Sequence, residues 1–254
     1  MSAAEAPTLV RIAGMMRSGS NLLTWMLRQN FAGLRTATML LGWKHGPIYR
    51  DRATLGPGEF VDPRYGSELQ RYMREQPAAW AGLTASAFYR EAAAAQRAQD
   101  YAVALAVRDP ERWYASCVRI AAESPGFLPF ATTPAAAAAA WNEQHAGWLA
   151  TLGARSVIVD TDGLRRDPEP WLQLMADRLR LRRLPGLRQP SGYLHPRGTE
   201  EIYELLGAPV ATQLEREFTP AGSVPAALRA EFRAALDGEL LRRLGLGERA
   251  GAVT

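Results

Sequence analysis

The stretch Gly14-Met15-Met16-Arg17-Ser18-Gly19-Ser20-Asn21 joins an apolar run to a helical pattern. The apolar run, Thr8-Leu-Val-Arg-Ile-Ala-Gly14, predicts a strand, and Asn21-Leu-Leu-Thr-Trp-Met-Leu-Arg28 predicts a helix. A chain that turns through glycines from a strand into a helix directs several main-chain N–H groups at one point. The sequence therefore predicts an anion-binding loop at residues 14–21.

The two glycines of this loop have the spacing of a Walker A loop, which binds phosphates in many nucleotide-dependent enzymes. Ser20 and Asn21 stand where that loop has its Lys and its magnesium-binding Ser or Thr. The positive charge is Arg17, inside the loop. We therefore expect the loop to hold a phosphate-like group without the Lys and the magnesium ligand of a kinase.

Composition limits the class of protein. The chain has 254 residues, of which 47% are hydrophobic and 22% charged, as in ordinary globular proteins with a buried core. We expect a single domain over residues 1–254, with flexible ends at 1–7 and 248–254. No apolar run approaches about 18 residues, and no basic region followed by an apolar core begins the chain, so we expect neither a membrane span nor a signal peptide. Cys117 is the single cysteine, and we expect a cytoplasmic protein.

The charge pattern favours a small anionic ligand over a nucleic acid. The net charge is +4, but the basic residues are spread along the chain rather than clustered. Of the 30 basic residues only Lys44 is a lysine, so the other 29 are arginines. A coding bias that replaces Lys with Arg explains this ratio. Under such a bias, a position that keeps its lysine is a candidate for function, and Lys44 lies beside His45.

Apolar runs alternate with helical patterns along the chain. The runs are continuous, as in strands buried on both faces of a parallel sheet. The predicted strands are 8–14, 36–42, 101–107 and 155–160, and the predicted helices are 67–76, 85–98, 110–123 and 134–151. This alternation predicts an α/β fold of three layers, with a central parallel sheet flanked by helices. After Pro185 the pattern is helical to Leu246, which predicts a helical C-terminal part.

Residues 46–66 form a long loop in this scheme. Seven Gly and Pro residues interrupt any regular element there. Loops of this length in compact domains are usually lids or binding loops, or else disordered. We predict a substrate lid.

A second strand-to-helix junction begins at Arg108. Asp109 or Pro110 starts the helix, and Ser116 falls about two turns into it. At the carboxyl edge of a sheet, Arg108 is placed to bind a second phosphate. Considered alone, Arg108 is slightly better explained as an arginine that pairs with a nearby carboxylate than as a residue that binds a phosphate.

The remaining candidates favour structural roles. Trp141, His145 and Trp148 share one helical face and predict a core stripe, with a histidine facing the ligand as the alternative. His195, in a turn before Pro196, is predicted to be structural. No His-Glu-x-x-His and no paired Cys occurs, so we predict no metal site.

Taken together, the two junctions resemble the sulfotransferases that use 3′-phosphoadenosine 5′-phosphosulfate (PAPS). The first loop of that family has the form G-x-P-[KR]-S-G-[ST]-x, and residues 14–21 match all of it except the Pro. The family's R-x-P followed by Ser is matched by Arg108, Pro110 and Ser116. Residues 161–168 are similar to its Y-E-D-L-x-x-D-P segment, with Thr161 in place of Tyr. The end of the chain, 236–246, also looks like that of bacterial members.

The resemblance implies a P-loop-like fold and a donor site. Residues that would surround the 5′-phosphosulfate are Arg17, Ser18, Gly19, Ser20 and Asn21. Arg108 and Ser116 would hold the 3′-phosphate that distinguishes PAPS from ATP. Arg197, in Pro196-Arg197-Gly198, matches weakly a late Arg/Lys-Gly element that touches the same phosphate.

The acceptor side of the implied site rests on Lys44 and His45. A hydroxyl that attacks a sulfuryl group needs a base, and members of the family carry a histidine just after this strand. His45 would be that base, while Arg17 and Lys44 would stabilise the leaving phosphate. If the strand continued, the adjacent Lys44 and His45 would point to opposite faces, so that only one would reach the reacting centre.

The resemblance implies a PAPS-dependent sulfotransferase. It would act on a hydroxyl of a small metabolite and release adenosine 3′,5′-bisphosphate, without a metal, nucleic acid or membrane span. The main alternative is a P-loop small-molecule kinase or another nucleotide-dependent transferase. A binding protein that retains the loop without turnover is a second alternative. The sequence indicates neither the acceptor nor the oligomeric state.

Overall fold

The computed structural model describes most of the chain in separate ranges. They are 8–38, 41, 44–46, 48, 78, 81–82, 85–124, 126, 128, 130, 133–190, 193–196, 211–214 and 224–246, with only the main chain in 193–196 and 211–214. The strands are β1 (Thr8–Ala13), β2 (Phe31–Ala32), β3 (Leu34–Ala37), β4 (Ala102–Val107), β5 (Ser156–Asp160), β6 (Arg182–Arg183), β7 (Tyr193–Pro196) and β8 (Ala211–Leu214). The helices are α1 (Ser20–Asn30), α2 (Ala87–Ala98), α3 (Pro110–Glu123), α4 (Pro134–Thr151), α5 (Thr161–Arg166), α6 (Pro168–Leu179), α7 (Ala226–Ala234) and α8 (Gly238–Arg243).

A four-stranded parallel sheet forms the centre of the fold. Its strand order is β3-β1-β4-β5, and every neighbouring pair is parallel. Val10 lies opposite Ala102, and Val107 lies opposite Asp160. The predicted α/β fold with a central parallel sheet is confirmed.

The two faces of the sheet are covered by different helices. Alternate residues of β4 belong to two separate buried clusters: Val103 and Leu105 to one, Ala102 and Ala104 to the other. The first cluster takes in side chains of α2, α3, α4, α7 and α8, and the second takes in those of α1 and α6. Because a strand buried on both faces has no polar face, the continuous apolar runs of the sequence are explained. The three predicted layers are confirmed.

The strand order creates a crevice between β1 and β4. From β1 the chain passes through α1 to β3 on one side, and later returns to β4 on the other side of β1. In open α/β sheets ligands bind at such a reversal, outside the carboxyl ends of the strands. Those ends are Ala13 and Val107, which directly precede the two junctions singled out in the sequence.

The helical prediction beyond Pro185 is wrong in part. Helices α7 and α8 are present, but β7 and β8 form an antiparallel pair, with Tyr193 opposite Leu214. That pairing joins segments far apart in the sequence, so the local pattern cannot reveal it. The predictions on 1–7, 67–76, 248–254 and Arg197, and nearly all of the predicted lid 46–66, lie outside the described residues.

Candidate active site

The loop between β1 and α1 begins pressed against the neighbouring strand. A Cβ built on Gly14 would lie 2.8 Å from the main-chain oxygen of Ala106, so only glycine fits at this position. The N–H of Gly14 donates to the main-chain oxygen of Lys44 at 2.9 Å. The loop is therefore fixed to β4 on one side and to the Lys44–Gly46 turn on the other.

Four consecutive carbonyls of this loop, at residues 15–18, accept hydrogen bonds from within the protein. The donors are the Ser18 hydroxyl to Met15 (2.6 Å), the Trp113 indole to Met16 (2.8 Å), the Arg108 guanidinium to Arg17 (3.3 Å) and the Thr161 hydroxyl to Ser18 (2.7 Å). The oxygens of residues 15–18 are therefore engaged within the protein. The N–H groups that follow, at the start of α1, are the ones that a helix leaves without intrahelical partners.

The first turn of α1 has the character of an anion site. Gly19 precedes the helix with φ of 83°, no side chain caps the helix, and its first turn contains no acidic residue. A Cβ on Gly19 would lie 2.7 Å from the Thr161 hydroxyl, so a larger residue is excluded by contact as well as by conformation. The positive end of a helix without a carboxylate favours an anionic ligand. A phosphate or phosphosulfate group fits this cradle.

The two junctions meet in one site. Arg17 donates from Nε to the Ser116 hydroxyl at 3.0 Å, and Arg108 donates to the main-chain oxygen of Arg17 at 3.3 Å. Arg17 has φ of 70°, a left-handed conformation that is costly for a residue with a Cβ. The loop residue thus contacts both an arginine and a serine that the second junction supplies.

Arg108 lies in a group of charged side chains around Asp162. Its Nε is 3.5 Å from Asp162, and Arg112 and Arg165 approach the same carboxylate at 3.6 and 4.0 Å. Burial lowers the pKa of Arg108; Asp162 opposes that shift, and the surrounding arginines add to it. Asp109 also interacts with Arg112, and the Arg112 and Arg165 side chains are 45% and 36% exposed, so Arg108 is the buried cation of this group.

Thr161 is a site residue whose role the sequence did not reveal. Its buried hydroxyl lies 2.7 Å from the oxygen of Ser18 and 3.0 Å from the oxygen of Val107. It therefore joins the loop, β4 and the start of α5. The sequence pattern shows a Thr where the resemblance has a Tyr, but gives no sign of this contact.

His45 is buried and neutral. Its Nδ1 lies 2.5 Å from the main-chain oxygen of Gly14, and a carbonyl only accepts, so Nδ1 carries the proton and Nε2 is the basic nitrogen. Burial, and after it the charge of Lys44, lower the pKa of His45 to about 3, against the opposing hydrogen bond to Gly14. The ring is therefore neutral throughout the physiological range.

Lys44 also reaches the loop. Its ammonium group donates to Oδ1 of Asn21 at 2.7 Å, in the first turn of α1. The strand does not continue to this point, because residues 44–46 form a turn, and both Lys44 and His45 contact the loop at residues 14–21. Lys44 therefore places a cation beside the first turn of α1.

Four further residues considered in the sequence are buried in the structure. Trp141, His145 and Trp148 are each 1% exposed, so the predicted core stripe is confirmed. Cys117 is buried, and burial raises the pKa of its thiol. Among the residues whose placement the structure gives, no three of His, Cys, Asp or Glu gather closely enough to hold a metal ion. Within the described ranges, no helix has both the length and the apolar character needed to cross a membrane.

Comparisons with known proteins do not assign a function to this site. No protein-family model matches the sequence, and no curated protein matches it significantly. Among solved structures, the sulfotransferase domain from the Synechococcus PCC 7002 olefin synthase is similar to this chain. The TM-score is 0.46 at 17% sequence identity, over 96% of this chain and 98% of that one. A likeness at this level assigns no activity to the chain.

Proposed function

We propose that this protein transfers a sulfuryl group from PAPS to a hydroxyl of a small-molecule acceptor. The observation that carries the proposal is the meeting of the two junctions. Arg17 in the first loop donates a hydrogen bond to the Ser116 hydroxyl, and Arg108 donates one to the main-chain oxygen of Arg17. A ligand with phosphates at both ends of one nucleoside matches two cationic cradles this close together better than a nucleotide with a single phosphate chain.

The donor would lie across the crevice between β1 and β4. The N–H groups and side chains of residues 17–21 would receive the 5′-phosphosulfate at the start of α1. Arg108 and Ser116 would hold the 3′-phosphate, with Asp162 orienting the Arg108 guanidinium. Arg197 remains part of the proposal on the sequence resemblance alone.

His45 would take the proton of the acceptor hydroxyl at Nε2. PAPS would supply the sulfuryl group: the acceptor oxygen bonds to sulfur as the bond from sulfur to the bridging oxygen breaks. A base of low pKa is weak, but a bound dianion nearby would raise the pKa of His45 and so strengthen it. Lys44 and Arg17 would stabilise the charge that develops on the bridging oxygen. The product would be a sulfate ester with adenosine 3′,5′-bisphosphate.

The sequence differs from the kinase alternative at two positions. A P-loop kinase would need a lysine at Ser20 and a magnesium-binding hydroxyl at Asn21. Lys44 also reaches the first turn of α1, but it comes from the turn at residues 44–46 rather than from within the loop. A cytoplasmic location and a single domain, both expected from the sequence, belong to this proposal.

Calorimetry of the full chain with three nucleotides tests the proposal. We expect adenosine 3′,5′-bisphosphate to bind at least about tenfold more tightly than ADP or ATP, because only it places a phosphate at each cradle. Equal affinity for all three would contradict the assignment of the second cradle. A preference for ATP with magnesium would favour the kinase alternative instead.

A further inference from the structure

Helix α4 contributes two hydrogen-bond donors to the main chain at His45. The amide of Gln144 donates to the main-chain oxygen of His45, and the indole of Trp148 donates to that of Gly46 at 2.9 Å. Gln144 is 7% exposed and Trp148 1% exposed. Their spacing of four residues places both donors on one face of the helix. We refer to these two side chains as the α4 donor pair.

The segment that carries His45 has no secondary structure of its own. The described residues 44–46 form a turn, so their carbonyls take part in no sheet ladder. Main-chain bonds hold Lys44, whose oxygen accepts from Gly14 at 2.9 Å and whose N–H donates to Thr38 at 2.8 Å. The buried carbonyls of His45 and Gly46 accept from side chains instead. Arg11, fully buried on β1, adds a second donor to Gly46 at 3.2 Å. Side chains of α4 and β1 therefore hold the His45–Gly46 end of the turn.

The His45 ring is oriented by two separate anchors. Its Nδ1–H donates to the main-chain oxygen of Gly14, at the start of the 14–21 loop. Its main-chain oxygen accepts from the side-chain amide of Gln144, on helix α4. The first anchor sets the tautomer, and the second sets where the ring sits relative to the loop. A displacement of about 1 Å in a reacting group lowers the rate of an enzyme by up to about a hundredfold.

We propose that Gln144 and Trp148 are positioning residues that hold His45 in the orientation needed to take the proton of the acceptor. This inference rests on the role of His45 in the proposed function. The donor pair bonds to the carbonyls of His45 and Gly46 rather than to Arg17 or Arg108, so we expect its removal to affect turnover more than nucleotide affinity. If Gln144 and Trp148 position His45, their replacement should lower the rate of turnover and leave nucleotide affinity nearly the same.

Two variants remove the donors while keeping the packing. Gln144→Met preserves length without the amide, and Trp148→Phe preserves an aromatic ring without the N–H. Trp141→Phe is the matched control: it is the same change on the same helix face, at a tryptophan whose ring centroid lies 4.1 Å from that of His145 with the rings tilted by 34°. The readouts are release of adenosine 3′,5′-bisphosphate from PAPS, calorimetry with that product, and the titration of His45 followed by NMR of ¹⁵N-histidine in the full chain.

In either donor-pair variant we expect release to slow about tenfold or more, with affinity for adenosine 3′,5′-bisphosphate within about twofold of wild type. The pKa of His45 should rise by about one unit or more as the ring loosens and water enters, while Trp141→Phe leaves it unchanged. If the rate and the His45 titration in both donor-pair variants equal those of the control, the positioning role is overturned.

His45→Gln separates this inference from the function on which it depends. If that variant releases adenosine 3′,5′-bisphosphate at the wild-type rate, the base assignment is wrong, and the positioning role falls with it. If His45→Gln is inactive while Gln144→Met and Trp148→Phe retain the wild-type rate and titration, only the positioning role is overturned.

Discussion

At the scale of single residues, Arg108 is the group that would distinguish PAPS from other nucleotides. We predict that Arg108→Gln weakens binding of adenosine 3′,5′-bisphosphate about tenfold to a hundredfold, the cost of a lost charged hydrogen bond. Binding of ADP, which has no 3′-phosphate, should change by less than about twofold in calorimetry. Arg119→Gln, on the following helix α3 and paired with Glu123, serves as the control. Equal losses for both nucleotides would mean that Arg108 supports the fold rather than the ligand.

Lys44 provides the second test at this scale. Its ammonium lies 2.7 Å from Asn21, and a planar guanidinium has a different shape and a much higher pKa. We predict that Lys44→Arg slows release of adenosine 3′,5′-bisphosphate from PAPS about tenfold or more, while affinity for that product changes by less than about threefold. Parallel losses in rate and affinity would refute a specific role for the lysine at the leaving group.

The charged residues of the site could be predicted from the sequence, but the residues that hold the site in position could not. Arg17 and Arg108 follow recognisable strand ends, where local patterns are informative, whereas His45 lies in a turn eight residues after β3 ends. Thr161 and Gln144 donate to main-chain carbonyls of residues that lie 143 and 99 positions away in the chain. A hydrogen bond to a carbonyl places no demand on the identity of the partner residue, so it leaves no pattern in a single sequence.

At the scale of elements, the turn from the loop into α1 depends on Gly19. Its φ of 83° is costly for any residue with a Cβ, and that Cβ would also meet Thr161 at 2.7 Å. Gly33 has φ of 66°, and a Cβ at that position would have no neighbour within 4 Å, so Gly33→Ala measures the conformational cost alone. We predict that Gly19→Ala lowers the free energy of unfolding in urea by at least about 1 kcal/mol more than Gly33→Ala does. Equal losses of unfolding free energy in the two variants would show that α1 and α5 move apart easily to make room for the added Cβ.

The elements that the sequence predicted best are those that obey a local rule. Helices α3 and α4 begin and end at the predicted residues, because Asp109 and Thr133 cap them and a proline occupies the first turn of each. Strands β1, β4 and β5 are continuous apolar runs. Strands β7 and β8 obey no local rule, since each exists only through its pairing with the other.

At the scale of the whole molecule, two buried histidines make stability depend on pH. The pKa of His45 is lowered to about 3 and that of His145 to about 4, in both cases mainly by burial. A lowered pKa means that the unfolded chain binds the proton more readily. Their contribution is therefore complete above the unfolded pKa of about 6.5 and is lost as pH falls below it. Asp109, whose pKa burial raises, offsets part of this loss at the acid end.

We predict that the free energy of unfolding falls between pH 6 and pH 4.5 by up to about 1.4 kcal/mol per pH unit for each of the two histidines. His145→Gln should remove about half of that slope, because glutamine does not titrate. Urea unfolding of both proteins across this range provides the measurement. An unchanged slope in the variant would show that His145 is protonated in the folded protein.

The central claim is that two anion cradles bind opposite ends of one donor. A diffraction structure of the full chain with adenosine 3′,5′-bisphosphate tests it most directly. We predict one phosphate within about 3.2 Å of both Arg108 and Ser116, and the other within the same distance of the main-chain N–H groups at the start of α1. A nucleotide bound with its 3′-phosphate in solvent, or outside the crevice between β1 and β4, would contradict the account.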